Sequence, residues 1–469
     1  MPTSSGNSAG LARAPARGPA GRPAAHRDDG GPIPPPRISG HQDWLDGLRA
    51  IAAFGVLVIH VASETGFAFT GSPASWVAAR GDVGVPVFFT LSGLLLFRPW
   101  ARQALGDRGA PDVRSYAIRR VLRIVPVYWA VVIIAIITLD RGHARSPSTW
   151  AQYLLFGQIY NRHPWWAGTG APGLAQMWSL SVEVSFYAVL PVLGALLVLI
   201  AVRGNPSVAV RARRMLAGTA VLTAISFTFL ALIYYPSREL WLSATLPRSL
   251  CWFAPGMALA VVTVWANADD RPAAPVRAAC RAVASSAPAC WLIAALAFAL
   301  ACTPLAGPEG FATPSLWQYA AKLVLYTIIP AAVVAPVAFQ AGGPTWLTAV
   351  LGNAVMRFLG KVSYGVFLWQ YLAIYAIFNG LGLKDVFHGG YYNAIETVLL
   401  LIAVSVVTVV LATLGYYLIE RPAQRLYRFY RPGRRESRGP DAAAYGSPGG
   451  LAYGVRVAPG ERRQDPAQD

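Results

Sequence analysis

Ten apolar stretches, set apart by polar and basic segments, recur near residues 45–64, 83–98, 119–139, 178–202, 216–235, 248–266, 290–305, 317–338, 357–379 and 393–419. Most run about 20 residues, the length at which a helix rising about 1.5 Å per residue crosses a hydrocarbon layer roughly 30 Å thick. The second and seventh are shorter and are expected to be tilted, broken or completed by flanking residues. The pattern predicts an all-α fold, a polytopic membrane helix bundle with about ten transmembrane helices. Residues 1–43, rich in Pro, Gly, Ala and Arg with no apolar run before Trp44, read as a disordered cytoplasmic leader and not as a signal peptide. The expected membrane domain covers 44–425, and 426–469 is expected to be a basic, disordered cytoplasmic tail.

Composition agrees with a multi-pass protein of the cell membrane whose first partner is the lipid bilayer. Of 469 residues, 55% are hydrophobic and 13% charged, too apolar for an ordinary soluble domain. The formal charge of +18 invites a nucleic-acid reading, but the basic residues sort by loop instead. With the N-terminus inside, the inner segments hold 31 of the 40 Lys and Arg and the outer loops only seven. That asymmetry is the positive-inside bias, so both termini are expected to be cytoplasmic and no nucleic acid is expected as a partner. Cys251, Cys280, Cys290 and Cys302 show no paired spacing, and neither a metal nor a disulfide framework is expected.

The apolar pattern is broken where chemistry is expected. Arg49 and His60 lie eleven residues apart in the first span. That is about three helical turns, so both side chains fall within roughly 20° of one face and about 16 Å apart along the axis. A charge at mid-membrane costs roughly 2.5–3.5 kcal/mol on insertion scales and normally faces a bundle interior. His60 is the only one of six histidines placed in a span, and its ordinary range suits a general base for a hydroxyl. Glu64, one turn further, is in reach of the imidazole or at the outer interface. Arg49 suits an anion, with Asp46 one turn earlier as its structural partner. Arg119, Arg120 and Arg123 crowd the inner end of the third span, where they either bind phosphate or simply mark topology. Glu183, in WSLSVE, accepts a proton, orients His60, or pairs with Arg49 or Arg248. Ser92 reads as a helix-packing hydroxyl more than a nucleophile. The long outer loop from Asp140 to Met177, with Trp150, Trp165 and Trp166, is the candidate for acceptor selection.

Read in order, the chain carries LDGLR with His60, GVPVFFTLSG at 84–93, RRVLRIVPVY at 119–128, WSLSVEVSFY at 178–187, RSLCWFAPG at 248–256, GKVSYGVFLWQ at 360–370 and IERP at 419–422. This series resembles the integral-membrane acyltransferase family 3 over about residues 44–425. The resemblance implies a ten-helix core that moves an acyl group, often acetyl, from cytoplasmic acyl-CoA (acetyl-CoA) to a hydroxyl on a cell-surface or exported carbohydrate. It implies His60, Arg49 and Glu183 as catalytic and Arg120 and Arg123 as donor-binding, with no metal. Where the family often has a further acid and Gln after the glutamate, this chain has Val184 and Ser185. Where the family often has His, it has Gln370. Two other readings stay open: O-acylation of a small secondary metabolite such as a macrolide, and a proton-coupled transporter.

Overall fold

The computed structural model describes residues 33–430 apart from 107–108, 167, 269–272 and 309–311. Most of the expected leader and tail, residues 1–32 and 431–469, thus lies outside the described residues. Among the described residues the protein is helical throughout. Its helices are α1 (Asp43–Glu64), α2 (Pro73–Ala79), α3 (Gly84–Leu105), α4 (Val113–Thr138), α5 (Pro147–Leu154), α6 (Met177–Val202), α7 (Val208–Tyr234), α8 (Leu246–Ala266), α9 (Ala274–Ser285), α10 (Ala287–Ala301), α11 (Leu316–Ala338), α12 (Trp346–Leu351), α13 (Ala354–Gly380), α14 (Ala394–Gly415) and α15 (Arg421–Arg425).

Among the described residues eight helical segments are long and apolar enough to cross a membrane, and a ninth results if α9 and α10, bent 67° at their junction, count as one span. The protein is therefore a multi-pass membrane protein. Every expected apolar stretch falls on a helix. The two short ones have a physical explanation: α3 is preceded by α2 and a tight turn at Gly81–Val83, and the seventh stretch falls on α10, which follows α9 at a 67° bend. The ninth stretch is α13, 27 residues long, which Gln370, Tyr371, Tyr375 and Asn379 make more polar than its neighbours.

Local sequence sets several ends. Asp112 caps α4 by accepting from the Ser115 amide at 3.1 Å, and those bonds hold its carboxyl below the usual carboxylate range. Ser315 with Gln318 and Asn393 with Glu396 form capping boxes at the starts of α11 and α14. Small residues then let helices meet. A Cβ at Gly256 of α8 would run into the Thr90 carbonyl of α3, and one at Gly360 of α13 into the Asp46 carbonyl of α1. Thr90 Oγ1 reinforces the first crossing by donating to the Trp252 carbonyl at 2.8 Å. Residues 33–42 lie across the end of the bundle where α1 begins: the Arg37 amide donates to the Gln340 carbonyl at 2.9 Å, and Asn267 Nδ2 to the Pro36 carbonyl at 3.0 Å.

Candidate active site

Helices α1, α3, α4, α6 and α13 enclose a cavity of about 320 Å³ at the α1 N-terminal half of the bundle. Arg49, Ser92, Arg120, Arg123, Glu183, Tyr187 and Tyr364 supply its polar wall, Phe88, Phe89 and Phe367 its apolar wall, and His41 stands among the lining residues. Arg120 and Arg123 are three residues apart on α4, so one helical face delivers both. Arg119 turns elsewhere: its Nη1 donates to the Tyr427 hydroxyl at 2.9 Å and its guanidinium lies 5.3 Å from that ring. The expected arginine triplet is thus split.

Carboxylates compensate the cavity only in part. Arg49 Nη1 meets Asp46 Oδ1 at 2.7 Å, the ion pair expected from their spacing, and His41 Nε2 sits 2.7 Å from the other Asp46 oxygen. Glu183 does not pair with a guanidinium; Oε1 accepts from the Ser92 hydroxyl and from the Tyr187 hydroxyl, the latter at 2.5 Å. Among the described residues no cation lies within 4 Å of it. Arg248, the other expected partner, is held by the Ser243 carbonyl at 2.6 Å and by the rings of Trp178, Trp252 and Tyr319 at 5.8, 4.3 and 5.6 Å. Arg120 keeps a buried Nε with no hydrogen-bond partner. Buried Glu420, braced by Gln424 Nε2 at 2.9 Å, acts on Arg123 from behind. Three guanidiniums around one small space, with one directly paired carboxylate, make a site for an anion.

His60 stands apart from this group. It is not among the lining residues of the cavity, although Arg49 on the same helix is. A Cβ on Gly84, at the start of α3, would strike the Ala52 carbonyl, so α3 meets α1 about two turns short of His60. The imidazole is half-buried against the Tyr371 ring, centroids 4.6 Å apart, with the Gln370 side chain beside it. Its Nδ1 is buried and has no hydrogen-bond partner. Asp82, which accepts from Tyr326 and lies 2.8 Å from Lys322 Nζ, is close enough to act on the ring electrostatically. The structure therefore gathers Arg49, Arg120, Arg123 and Glu183 and sets His60 further along α1.

A family profile described as an acyltransferase domain matches residues 42–417. The chain belongs to this acyltransferase family. It is 26% identical over 339 residues to a peptidoglycan O-acetyltransferase of Listeria monocytogenes, covering 70% of this chain and 48% of that protein. It is 25% identical over 394 residues to a putative peptidoglycan O-acetyltransferase of Bacillus subtilis, covering 81% and 54%. A putative O-acetyltransferase of Staphylococcus aureus matches at 22% over 399 residues, covering 81% and 57%. The chain spans about half the length of the curated relatives it matches. No solved structure matches it.

In this member of the family several neighbours of the candidate residues escape sequence reasoning. His41 precedes the first span and reads as leader; Asp82 and Glu420 sit at helix breaks, where acids pass for solvated ends. Glu64, an expected alternative at the interface, is only 5% exposed, with Oε2 lacking a partner. Tyr364 joins the cavity and hydrogen-bonds the Ile124 carbonyl at 2.7 Å, whereas Trp369 is buried against α14. The tryptophans of the long loop mostly face one another: Trp165 meets Trp166 at 4.5 Å and His143 at 4.6 Å, and donates to Asp140 at 3.2 Å. They form the loop's own core. Among the described residues no group of three or more His, Cys, Asp or Glu is placed to hold a metal ion.

Proposed function

We propose that the protein is an O-acyltransferase that moves an acyl group, in the first place acetyl, from acyl-CoA on the cytoplasmic side to a hydroxyl of a cell-surface carbohydrate. The family match supports acyl transfer, and the names of the relatives support O-acetylation of a carbohydrate. The sorting of basic residues supports a cytoplasmic face at the N-terminal end of α1. The observation that carries the reading is the convergence of Arg49, Arg120 and Arg123 on one cavity in which, among the described residues, only Arg49 is directly ion-paired.

Phosphates of the donor are held by these guanidiniums. The pantetheine arm then runs along α1, and its dozen or so backbone bonds, at the spacing of an extended chain, reach about 15 Å. His60 lies about 16 Å beyond Arg49, so the thioester arrives at the imidazole. His60 takes the proton of the acceptor hydroxyl while that oxygen attacks the thioester carbonyl. The carbon–sulfur bond breaks, and the departing thiolate receives the proton from the imidazolium. Tyr371 and Gln370 keep the ring in place, and Glu183 holds the Ser92 and Tyr187 hydroxyls at the cavity wall. The test is acetyl transfer from acetyl-CoA by His60→Ala and Arg49→Ala proteins of unchanged membrane insertion and thermal stability. Loss of transfer in both is expected; full activity in both refutes the reading.

A further inference from the structure

A second cavity lies at the opposite end of the bundle. It is a groove of about 690 Å³ where three loops converge: the one after α1 with α2, the one between α10 and α11, and the one between α13 and α14. Phe69, Trp76, Phe387 and Tyr391 give it aromatic faces, and Arg80 and Thr303 give it polar groups. Arg80 is fixed in place, donating to the Ala301 and Gly307 carbonyls at 2.7 Å each. Tyr391 is 73% exposed and Phe387 58%, on a loop whose backbone is pinned to the end of α1 by the bond from the Tyr392 amide to the Thr65 carbonyl at 3.0 Å.

This groove adjoins the end of α1 that carries the proposed reaction centre. The Tyr391 ring borders Gly66, two residues past Glu64 and six past His60. Glu64, one turn past His60 and two residues before Gly66, is more than nine-tenths buried, and its Oε2 has no hydrogen-bond partner, so this carboxylate oxygen lacks a donor from the protein. Sugar hydroxyls are such donors, while the apolar faces of pyranose rings suit aromatic side chains. A lipid tail would match the rings and leave the carboxylate unsatisfied. The arginine cavity lies towards the opposite, N-terminal end of α1.

We infer that the groove is the acceptor site, that it binds a β-linked pyranose chain across Trp76, Phe387 and Tyr391, and that Glu64 positions the reacting hydroxyl against His60. This rests on the acyl-transfer reading above. The experiment uses the full chain in nanodiscs with acetyl-CoA as donor and a β-1,4-linked N-acetylglucosamine tetramer as acceptor. Tyr391→Ala/Phe387→Ala, which alters two exposed rings, is expected to raise the acceptor KM about tenfold, as befits loss of two aromatic faces, with the donor KM held within about twofold. Glu64→Gln is expected to lower kcat about tenfold or more, and Glu64→Asp to recover part of it. An acceptor KM unchanged in the double variant, as for rings that merely rest on lipid, overturns the inference. So does a wild-type protein that consumes acetyl-CoA with small alcohols but never acetylates the tetramer, which leaves acyl transfer standing. Absence of acetyl-CoA turnover with every acceptor overturns both.

Discussion

Arg119, Arg120 and Arg123 offer the sharpest separation between donor binding and mere topology. All three sit at a helix end where a positive-inside bias would place arginines regardless of function. In the fold, Arg119 leaves the cavity for Tyr427, while Arg120 and Arg123 line it. A guanidinium hydrogen-bonded to phosphate contributes roughly 1.5–3 kcal/mol, or about 10- to 150-fold in affinity at a factor of ten per 1.4 kcal/mol. Both cavity arginines are only half-buried, so solvent screening favours the lower part, about 10- to 30-fold each. Arg120→Ala and Arg123→Ala are therefore expected to raise the KM for acetyl-CoA by that factor, and Arg119→Ala by less than about twofold because it forfeits only exposed contacts with Tyr427, a hydrogen bond and a ring contact, away from the cavity. Arg123→Lys should fall between, since it keeps the charge and loses the planar fork. The assay is initial rate against acetyl-CoA concentration in nanodiscs, repeated at several ionic strengths. Equal effects at Arg119 and Arg123, or no effect at Arg120 and Arg123, would refute donor binding in this cavity.

Three further outcomes follow from the same geometry. Glu183→Gln keeps an oxygen for the Ser92 and Tyr187 hydroxyls and removes a negative charge from an anion site, so the donor KM should fall about three- to tenfold, the effect of roughly 1 kcal/mol of relieved repulsion; a hundredfold loss of kcat instead would make Glu183 a proton acceptor. Acetyl phosphate places its phosphate next to the acyl group and cannot span the roughly 16 Å from Arg49 to His60, so it should inhibit competitively against acetyl-CoA without acting as donor. Productive transfer from acetyl phosphate would contradict the two-station layout. Lys322→Met strands Asp82 beside Tyr326 and should destabilise the protein by about 2 kcal/mol in a thermal-unfolding cycle, with Asp82→Asn/Lys322→Met recovering most of it.

How far the sequence leads depends on what each residue's signal rests upon. The helices are legible because hydrocarbon length forces runs of about 20 apolar residues, and even the broken second and seventh stretches betray themselves by being short. Arg49, Arg120, Arg123 and Glu183 are legible because an ionisable group within a span must face the interior. Direction is less legible. The i to i+1 step from Arg119 to Arg120 turns about 100° on the helix, and only the position of Tyr427, some 300 residues on, decides which of them faces the cavity. Of the two hydroxyls that Glu183 accepts from, Tyr187 lies one turn on in α6 and is within reach by spacing alone, whereas Ser92 belongs to α3 and is brought there only by helix packing. His41, Asp82 and Glu420 lie at ends and breaks, where sequence reading assigns acids and histidines to solvent.

The spacing of the two stations also explains why α3 begins where it does. If α3 ran as one continuous helix to the level of His60, its side chains would occupy the space in front of the imidazole along the same face that Arg49 shares. Instead the chain breaks at Gly81–Val83, and Gly81 and Gly84 press on the backbone of α1 at Gly55 and Ala52. That close approach seals α1 against α3 below His60 and turns α2 aside above it, so α2 carries Trp76 and Arg80 to the groove while Asp82 remains beside the imidazole. On the proposed reading one break would serve both substrates: Phe88 and Phe367, whose rings meet edge-on at 6.4 Å, stand in the wall of the anion cavity, and the groove beyond the break is left for the acceptor. Passage of a slim pantetheine arm then requires only that these two rings part, a side-chain motion, whereas passage of a sugar chain would require the α1–α3 backbone contact to separate. On the proposed reading the donor would come through the bundle and the acceptor would not, because side chains, Phe88 and Phe367, stand on the first path and the glycine-packed backbone of α1 and α3 on the second.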